Sequence, residues 1–494
     1  MKKYYTKPKV VHISSIVKEW SNFSASSYKE LSFKNENTSF LKKYIKDNDK
    51  WFEPWSDNYI PFWNSLFIRI SEMNSSNFIF SNTEDTLKIK PEVNKSYIED
   101  WDVCYQTASD VWNVNFYFWP RAFYNSHIRK LSFTEKKYYL FALLKSSFCK
   151  FQVESQWSIK WVDNFSERKF NKVLIPFPTE KNNKNPYEVE NLVSIIVQNI
   201  IDKEQQIRLK NDRINQLIET ELKDNQKDTN YEFKYPRISE IRRVWRFDTW
   251  MYERKFYRLE TEINNYKWGC KKLEELWFIT RKWPNLAISV IWKSIYSEKK
   301  INNNFKQLIL SKDIDEFWWI QHLQYIWNKN KLPELKQFDV LLFARWNIGR
   351  VLLIDDFLIW WTSNFDVFFI SWEQEYYKKI FLLNYLKYLK SINYWSYLWV
   401  WGSGADSLTD YFLKQVNFPI FPDEKQKEIA DEYYNKQPKA ENLNFENYLA
   451  VEKERNKKLW IFQLNMELFA LKEKLEDIID KIIMEEPIEI NFNY

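Results

Sequence analysis

Glycine is almost missing. The chain of 494 residues holds 4 glycines, where average usage would supply roughly 35. Turns and helix ends in a chain of this size call for φ > 0, which glycine takes without strain. Four glycines are too few for that. Tryptophan is abundant instead, at 26, and the two counts together approach a normal glycine count alone. Two readings stand. In some bacterial lineages UGA is read as glycine, and a translation that reads UGA as tryptophan prints Trp at those sites. The positions fit this. Trp346 precedes Asn347-Ile348-Gly349-Arg350, and Trp399 and Trp401 run into Gly402-Ser403-Gly404. Trp318-Trp319 and Trp360-Trp361 read as glycine pairs, and Trp119-Pro120 and Trp283-Pro284 as Gly-Pro turns. The other reading takes the tryptophans literally, as a glycan-binding or base-stacking platform. It requires UGG codons at Trp346 and Trp401.

Other scarcities narrow the function. Cys104, Cys149 and Cys270 form no Cys-x-x-Cys spacing, and an odd, sparse set suits a reducing compartment. Three histidines, His12, His127 and His322, are too few for most metal sites. His127 is expected in a turn or core. No phosphate-binding loop, His-Glu-x-x-His or methyltransferase tetrapeptide occurs, and Asn185-Pro186-Tyr187 is only a partial echo of the last. Pro422-Asp423 with Glu428 faintly suggests a nuclease signature, but the start of a helix accounts for it better. No catalytic residue, metal ligand or cofactor is therefore expected. No run approaches the ~18 apolar residues of a membrane helix. Residues 1–15 lack the apolar stretch of a signal peptide, so a cytoplasmic protein is expected. The net charge of +6 allows a nucleic-acid partner without demanding one.

The pattern that is present is a repeat. Residues 1–182 are mixed, with strand-like runs at 66–70 and 113–117, and end in Lys172–Pro178. A polar linker, Thr179–Pro186, precedes an uninterrupted amphipathic helix expected over 187–223. There Val193, Ile200, Ile207 and Ile214 recur every seventh residue, and Ile196, Ile218 and Leu222 widen the stripe. A polar break at 222–230 leads to a second mixed segment, 232–422, with strand-like runs at 340–343, 351–354 and 367–370. The spacer region 423–484 follows. In it a long helix is expected over about 443–484, where Leu464, Leu468, Leu471, Leu475, Ile478 and Ile482 step by fours and threes. Asp102-Val103 and Asp339-Val340 open matching segments at an offset of 237. Pro-rich ends at 176–178 and 419–422 repeat similarly, so an internal duplication of about 240 residues is the simplest account.

Asp339-Val-Leu-Leu-Phe-Ala-Arg-Trp-Asn-Ile-Gly-Arg-Val351, with Trp346 taken as glycine, resembles the "GDVL…RxGNIG" segment of type I restriction-modification specificity subunits. The stretch from Asp102 to Val114 is its first-half counterpart, without a clear arginine. Phe418-Pro-Ile-Phe-Pro-Asp-Glu-Lys-Gln-Lys-Glu-Ile429 resembles the family's "IPxPPxxEQxxI" ending. Ile175–Pro178 matches it more loosely and lacks the Glu-Gln. Leu276–Pro284 resembles the opening of a target-recognition domain. The resemblance implies an α/β (α+β) fold, with two target-recognition domains (1–182 and 232–422) separated by two long antiparallel coiled-coil helices. It implies a non-catalytic subunit that binds double-stranded DNA at a bipartite site. Its partners would be DNA adenine methyltransferase (M) subunits and a restriction/translocase (R) subunit. A type IIB-like system, with both activities on one partner chain, is the near alternative. A coiled-coil scaffold without DNA affinity is the distant one. Phosphate contacts need Lys or Arg, and base edges favour Arg on guanine and Asn on adenine. The DNA-contact candidates are Arg281, Lys282, Arg345, Asn347, Arg350, Arg121, Arg69 and Arg243. Arg281-Lys282 and Arg345 rank first, both expected in loops beside likely glycines, where backbone can approach DNA closely.

Overall fold

A computed structural model describes residues 5–6, 30–49, 65–81, 86–90, 97–108, 113–118, 121–154, 172–228, 235–244, 252–276, 279–282, 294–298, 300–310, 314, 324–328, 335–345, 348–354, 362–363, 367–371, 375–398, 400–402, 405–434, 438 and 443–492. The chain divides into two units. Unit 1 comprises Met1–Gln206, Gln437–Leu459 and Leu464–Tyr494; unit 2 comprises Ile207–Lys436 and Trp460–Gln463.

Unit 1 carries, in order, β1 (Tyr5–Thr6), β2 (Glu30–Leu31), β3 (Thr38–Phe40), β4 (Ile45–Asp49), β5 (Leu66–Ile68), β6 (Ile79–Phe80), β7 (Leu87–Lys88), β8 (Tyr97–Ile98), β9 (Val103–Gln106), β10 (Val114–Tyr117), β11 (Ala122–Tyr124), β12 (Ile128–Phe133), α1 (Lys137–Lys145), α2 (Ser147–Glu154) and β13 (Leu174–Pro176). The long helix α3 (Pro186–Asp224) starts in this unit. A five-stranded sheet runs β4-β12-β9-β10-β6 and a four-stranded one β7-β5-β11-β8. Every residue of β9 and β10 is buried, polar Gln106 and Asn115 included. Ile98, Cys104, Tyr117, Ala122 and Tyr124 share one core cluster, and the Phe116 and Phe141 rings lie 4.3 Å apart where α1 packs on β10.

Unit 2 carries α4 (Ile238–Val244), α5 (Arg254–Asn264), β14 (Cys270–Lys272), β15 (Ile279–Lys282), β16 (Ile295–Ser297), β17 (Lys306–Ile309), β18 (Gln324–Trp327), β19 (Val340–Phe343), β20 (Val351–Leu353), β21 (Thr362–Ser363), β22 (Val367–Ser371), α6 (Tyr376–Ser391), α7 (Trp395–Leu398), β23 (Val400–Gly402), β24 (Ala405–Ser407), α8 (Asp410–Lys414), β25 (Asn417–Pro419) and α9 (Asp423–Tyr433). Its sheets run β15-β22-β19-β20 and β16-β18-β17-β21.

The duplication holds bond for bond. In unit 1, Glu99 N donates to the Asp102 carboxylate (2.8 Å), Trp101 N to Tyr117 O (2.8 Å) and Tyr117 N to Asp102 O (2.8 Å). In unit 2, Lys336 N donates to the Asp339 carboxylate (2.7 Å), Phe338 N to Ile354 O (2.6 Å) and Ile354 N to Asp339 O (2.8 Å). Each pair is 237 residues apart. The third residue of each turn is left-handed, Trp101 at φ 69° and Phe338 at φ 61°, a conformation that strains bulky side chains. The sheet pairings repeat too. β9–β10 and β19–β20 are antiparallel, and β5–β11 and β17–β21 are parallel.

The helices extend and correct the sequence reading. Helix α3 spans Pro186–Asp224, with proline at its first position, where a missing N–H costs nothing. Val193, Ile196, Ile200, Ile207, Ile214, Ile218 and Leu222 are all buried. The single helix expected over 443–484 is instead two, α10 (Tyr448–Lys458) and α11 (Ile461–Met484). Leu459 between them is extended, at φ −66° and ψ 144°. Leu459, Trp460 and Ile461 are buried, and the Trp460 ring stacks on Phe462 and meets Tyr434 edge-on. Burial of this corner wins over helix continuity. All six stepped residues of α11, Leu464 to Ile482, are buried. Within unit 1, Lys203 pairs with Glu467, Glu204 with Lys472 and Lys181 with Glu485. Lys181 and Asn182, just before α3, meet Lys481 and Glu485 at the end of α11, whereas Lys203 and Glu204, further along α3, meet Glu467 and Lys472 in its earlier turns, so α3 and α11 run antiparallel there.

The linker Thr179–Pro186 is more than a spacer. Asn182 is buried and its amide donates to Lys481 O (2.9 Å) and Glu486 O (2.8 Å), capping the end of α11, while Ile488 N donates to Asn182 O (2.7 Å). Lys34 N and Asn35 N also donate to Ile483 O. The polar break after α3 is used likewise in unit 2. There Lys227 N donates to Asn265 O and Lys267 N to Asn225 O. Such bonds satisfy carbonyls that a helix end leaves without partners.

Candidate functional site

Four of the five basic candidates of unit 2 fall at one end of the β15-β22-β19-β20 sheet. Lys282 lies opposite Phe368, and Phe368 opposite Leu342. The next residue, Phe343, opens the hairpin to β20, closed by Phe343 N to Arg350 O (2.8 Å) and Gly349 N to Phe343 O (3.0 Å). Gly349 sits at φ 83°, and a Cβ there would lie 2.2 Å from the Trp395 ring; only glycine fits. Arg281 and Lys282 lie not in a loop but in the last two positions of β15, laddered to β22, and thus share this end with Arg345 and Arg350. The side chains of Arg281, Lys282 and Arg243 and the whole of Asn347 lie outside the described residues, and Arg243 is on α4. The Arg350 guanidinium donates to Ile314 O, so part of its fork is already used within the unit. Arg345 is half-buried at the hairpin's start.

In unit 1 the candidates are separated. β5 and β11 run parallel, with Ile68 opposite Tyr124. Arg69 therefore leaves β5 at one end of the small sheet, while Arg121 enters β11 at the other. Arg69 N donates to Glu72 Oε2 (2.8 Å) and its guanidinium lies 3.7 Å from the same carboxylate. Burial pushes the Glu72 carboxyl above its ordinary range, opposed by bonds from Ser71 and Arg69. Arg121 is exposed, its guanidinium 3.3 Å from the centre of the Tyr97 ring. His127 falls in a turn, its N–H on Asn125 Oδ1 and its carbonyl accepting from Thr107 N (2.8 Å).

A polar network inside unit 1 escaped the sequence reading. Lys203 is 1% exposed, and its ammonium donates to Asn456 Oδ1 (2.7 Å), Glu467 Oε2 (2.7 Å) and Glu452 Oε2 (3.3 Å). Asn456 in turn donates to Asn199 Oδ1 (3.0 Å) and Asp202 Oδ2 (2.7 Å), and Asn199 to Tyr448 OH (2.6 Å). Burial alone would raise the Glu467 carboxyl, but bonds from Arg455 and the charge of Lys203 hold it at about 2. Glu204, fully buried, accepts from Phe78 N (2.8 Å) and Ile79 N (2.9 Å). Nearby, burial lowers the Lys145 ammonium to about 7 against the opposing charge of Glu204. The signal was present in the sequence. Lys203 stands seven residues after Ile196, on the apolar stripe of α3, and a charged residue at such a position fixes register. A pocket of about 400 Å³ adjoins the network, lined among others by Trp101, Tyr138, Asp202 and Lys453.

Among the described residues no group of three or more His, Cys, Asp or Glu could hold a metal ion, and no helix is long and apolar enough to cross a membrane. The buried Cys104 thiol is raised well above its ordinary value, first by burial and then by the charge of Asp102, opposite to what a reactive thiolate requires.

No family model matches the chain, and neither does any curated protein. Solved structures do. The type I restriction-modification S subunit from M. genitalium aligns over 92% of this chain and 96% of its own, at 10% identity and TM-score 0.42. The HsdS subunit from Thermoanaerobacter tengcongensis aligns over 90% and 96%, at 15% identity and TM-score 0.27. A chain from a study of assembly and conformational transition in the type I R-M system aligns over 92% and 99%, at 14% identity and TM-score 0.28. Along nearly its whole length, then, the chain is similar to type I restriction-modification S subunits.

Proposed function

We propose that this chain is the DNA-specificity subunit of a type I restriction-modification system. Each unit reads one half of a bipartite site in double-stranded DNA, and the chain directs methyltransferase and restriction/translocase partners there. The observation that carries this reading is the duplicated Asp-turn, bonded identically at 99–102 and 336–339, in the segments whose sequence resembles the family's "GDVL…RxGNIG" motif. A chain that repeats one mixed unit twice suits a target with two parts. The basic end of the unit 2 sheet, with Arg281, Lys282, Arg345 and Arg350, supplies phosphate and guanine contacts. Asn347, Arg69, Arg121 and Arg243 are secondary candidates.

The test is co-expression with the adjacent methyltransferase gene, once with glycine at the 26 tryptophan positions and once as printed, followed by methylation mapping of genomic DNA. A bipartite methylated motif supports the reading. A soluble, folded complex without DNA affinity replaces it with a scaffold role. Partner genes that join methylation and cleavage in one chain move it to a type IIB-like system.

A further inference from the structure

At the end of the small sheet where β8 and β11 meet, two cations share one aromatic ring. The Arg121 guanidinium lies 3.3 Å from the centre of the Tyr97 ring, and the Lys130 ammonium lies 5.9 Å from it. Their electrostatic situations differ. Lys130 is neutralised by Asp102 at 2.8 Å, the carboxylate that also accepts Glu99 N in the repeated turn. Arg121 is exposed, and among the described residues no carboxylate lies within ion-pairing distance of it. The cluster therefore carries one uncompensated positive charge on a planar fork. Stacking on tyrosine holds that fork in place and leaves its edge donors facing solvent. Tyr97 is itself fixed, in a backbone register that sets it opposite Phe123.

A pre-oriented guanidinium of this kind fits an oxyanion with two acceptors. Resting on the proposed DNA-binding role, we infer that Arg121 clamps a backbone phosphate of the DNA, with Tyr97 as its positioning residue and the Asp102–Lys130 pair as the support of Tyr97. A phosphate is favoured over a base edge because Arg121 stands at the end of the small sheet away from Arg69 and the turn around His127. That turn meets the unit 1 hairpin through Thr107 N and His127 O, the counterpart of the hairpin bearing Arg345 and Arg350. Arg121 thus lies away from the end that gathers base-reading candidates, where a contact positions DNA without reading it.

The experiment measures binding of the full chain, with its methyltransferase partner, to a pool of DNA duplexes with a randomised centre across a salt series. Arg121→Ala is expected to weaken binding several-fold on all sequences alike and to reduce the salt slope by about 1. Arg121→Lys retains part of the affinity, Tyr97→Phe retains all of it, and Tyr97→Leu falls toward Arg121→Ala with an unchanged melting curve. A changed preference at a single base position overturns the phosphate assignment in favour of base reading. Unchanged affinity and slope in Arg121→Ala overturn it altogether. Absence of salt-dependent binding by the unmodified complex instead overturns the DNA-binding role on which it rests.

Discussion

The most exacting single residue is Lys203. It is fully desolvated and satisfies two carboxylates. Removing one partner of a buried pair leaves an uncompensated charge, which is far costlier than replacing the whole pair. Lys203→Ala is expected to lower stability by about 3 kcal/mol in urea denaturation, near the lower end for such pairs because Arg455 still serves Glu467. Glu467 gives the same network a pH signature. Its folded value of about 2 lies below the ordinary 4.5. Its contribution is therefore complete above about pH 4.5 and is lost as pH falls through the folded value. Glu467→Gln should flatten the acid limb of the stability curve in that window while stability at neutral pH falls. Residue identity is also testable directly. The intact mass of the protein purified from its own host is expected below that of the printed chain, by the Trp-to-Gly difference at each recoded codon. A mass equal to that of the printed chain establishes the tryptophans as real. Trp101 argues for glycine through its left-handed φ, whereas Trp395 and Trp460 are packed in cores.

Among elements, α11 draws its stability from the apolar stripe. Leu471→Ala, at a buried stripe position, is expected to cost about 2–5 kcal/mol, read as a lower thermal midpoint. A loss within 0.5 kcal/mol, as at an exposed site, would show that the stripe is unpacked. The stripes of α3 and α11 were legible because heptad spacing is local, and the strands at 340–343 and 367–370 because they are uninterrupted apolar runs, buried save for the half-buried Phe369. What stayed hidden depends on distant partners. The break at Leu459–Trp460 follows from aromatic packing against Tyr434, which no window of sequence shows. Asn182 looked like linker because its acceptors, Lys481 O and Glu486 O, lie some 300 residues away. The sequence around Arg281 and Lys282 points to a loop, but both lie in strand β15. Their placement at the same sheet end as Arg345 and Arg350 follows from the register of β15 on β22 and β22 on β19, which the sequence does not state.

For the whole molecule, the proposed function makes helix length a ruler. Inserting one turn, about four residues, adds about 6 Å at 1.5 Å per residue, and DNA rises about 3.4 Å per base pair. Matched insertions in α3 and α11 are expected to widen the gap between methylated half-sites by about two base pairs, seen in methylation mapping. An unmoved gap would remove the helices from that role. The composition of unit 1 has a further consequence, for synthesis. Its core needs α11, and the segment at Lys34–Asn35 is bonded to Ile483. Domains usually fold as they leave the ribosome, first made first folded. Here the order inverts. Nearly all of unit 2 has emerged before Leu464, so it can close first. The earlier-made unit waits, its apolar surface uncovered, for the last helix to arrive. During that interval the nascent chain is exposed to chaperones and proteases, and a ribosome that stalls before residue 464 leaves the first-made half of the molecule without its lid.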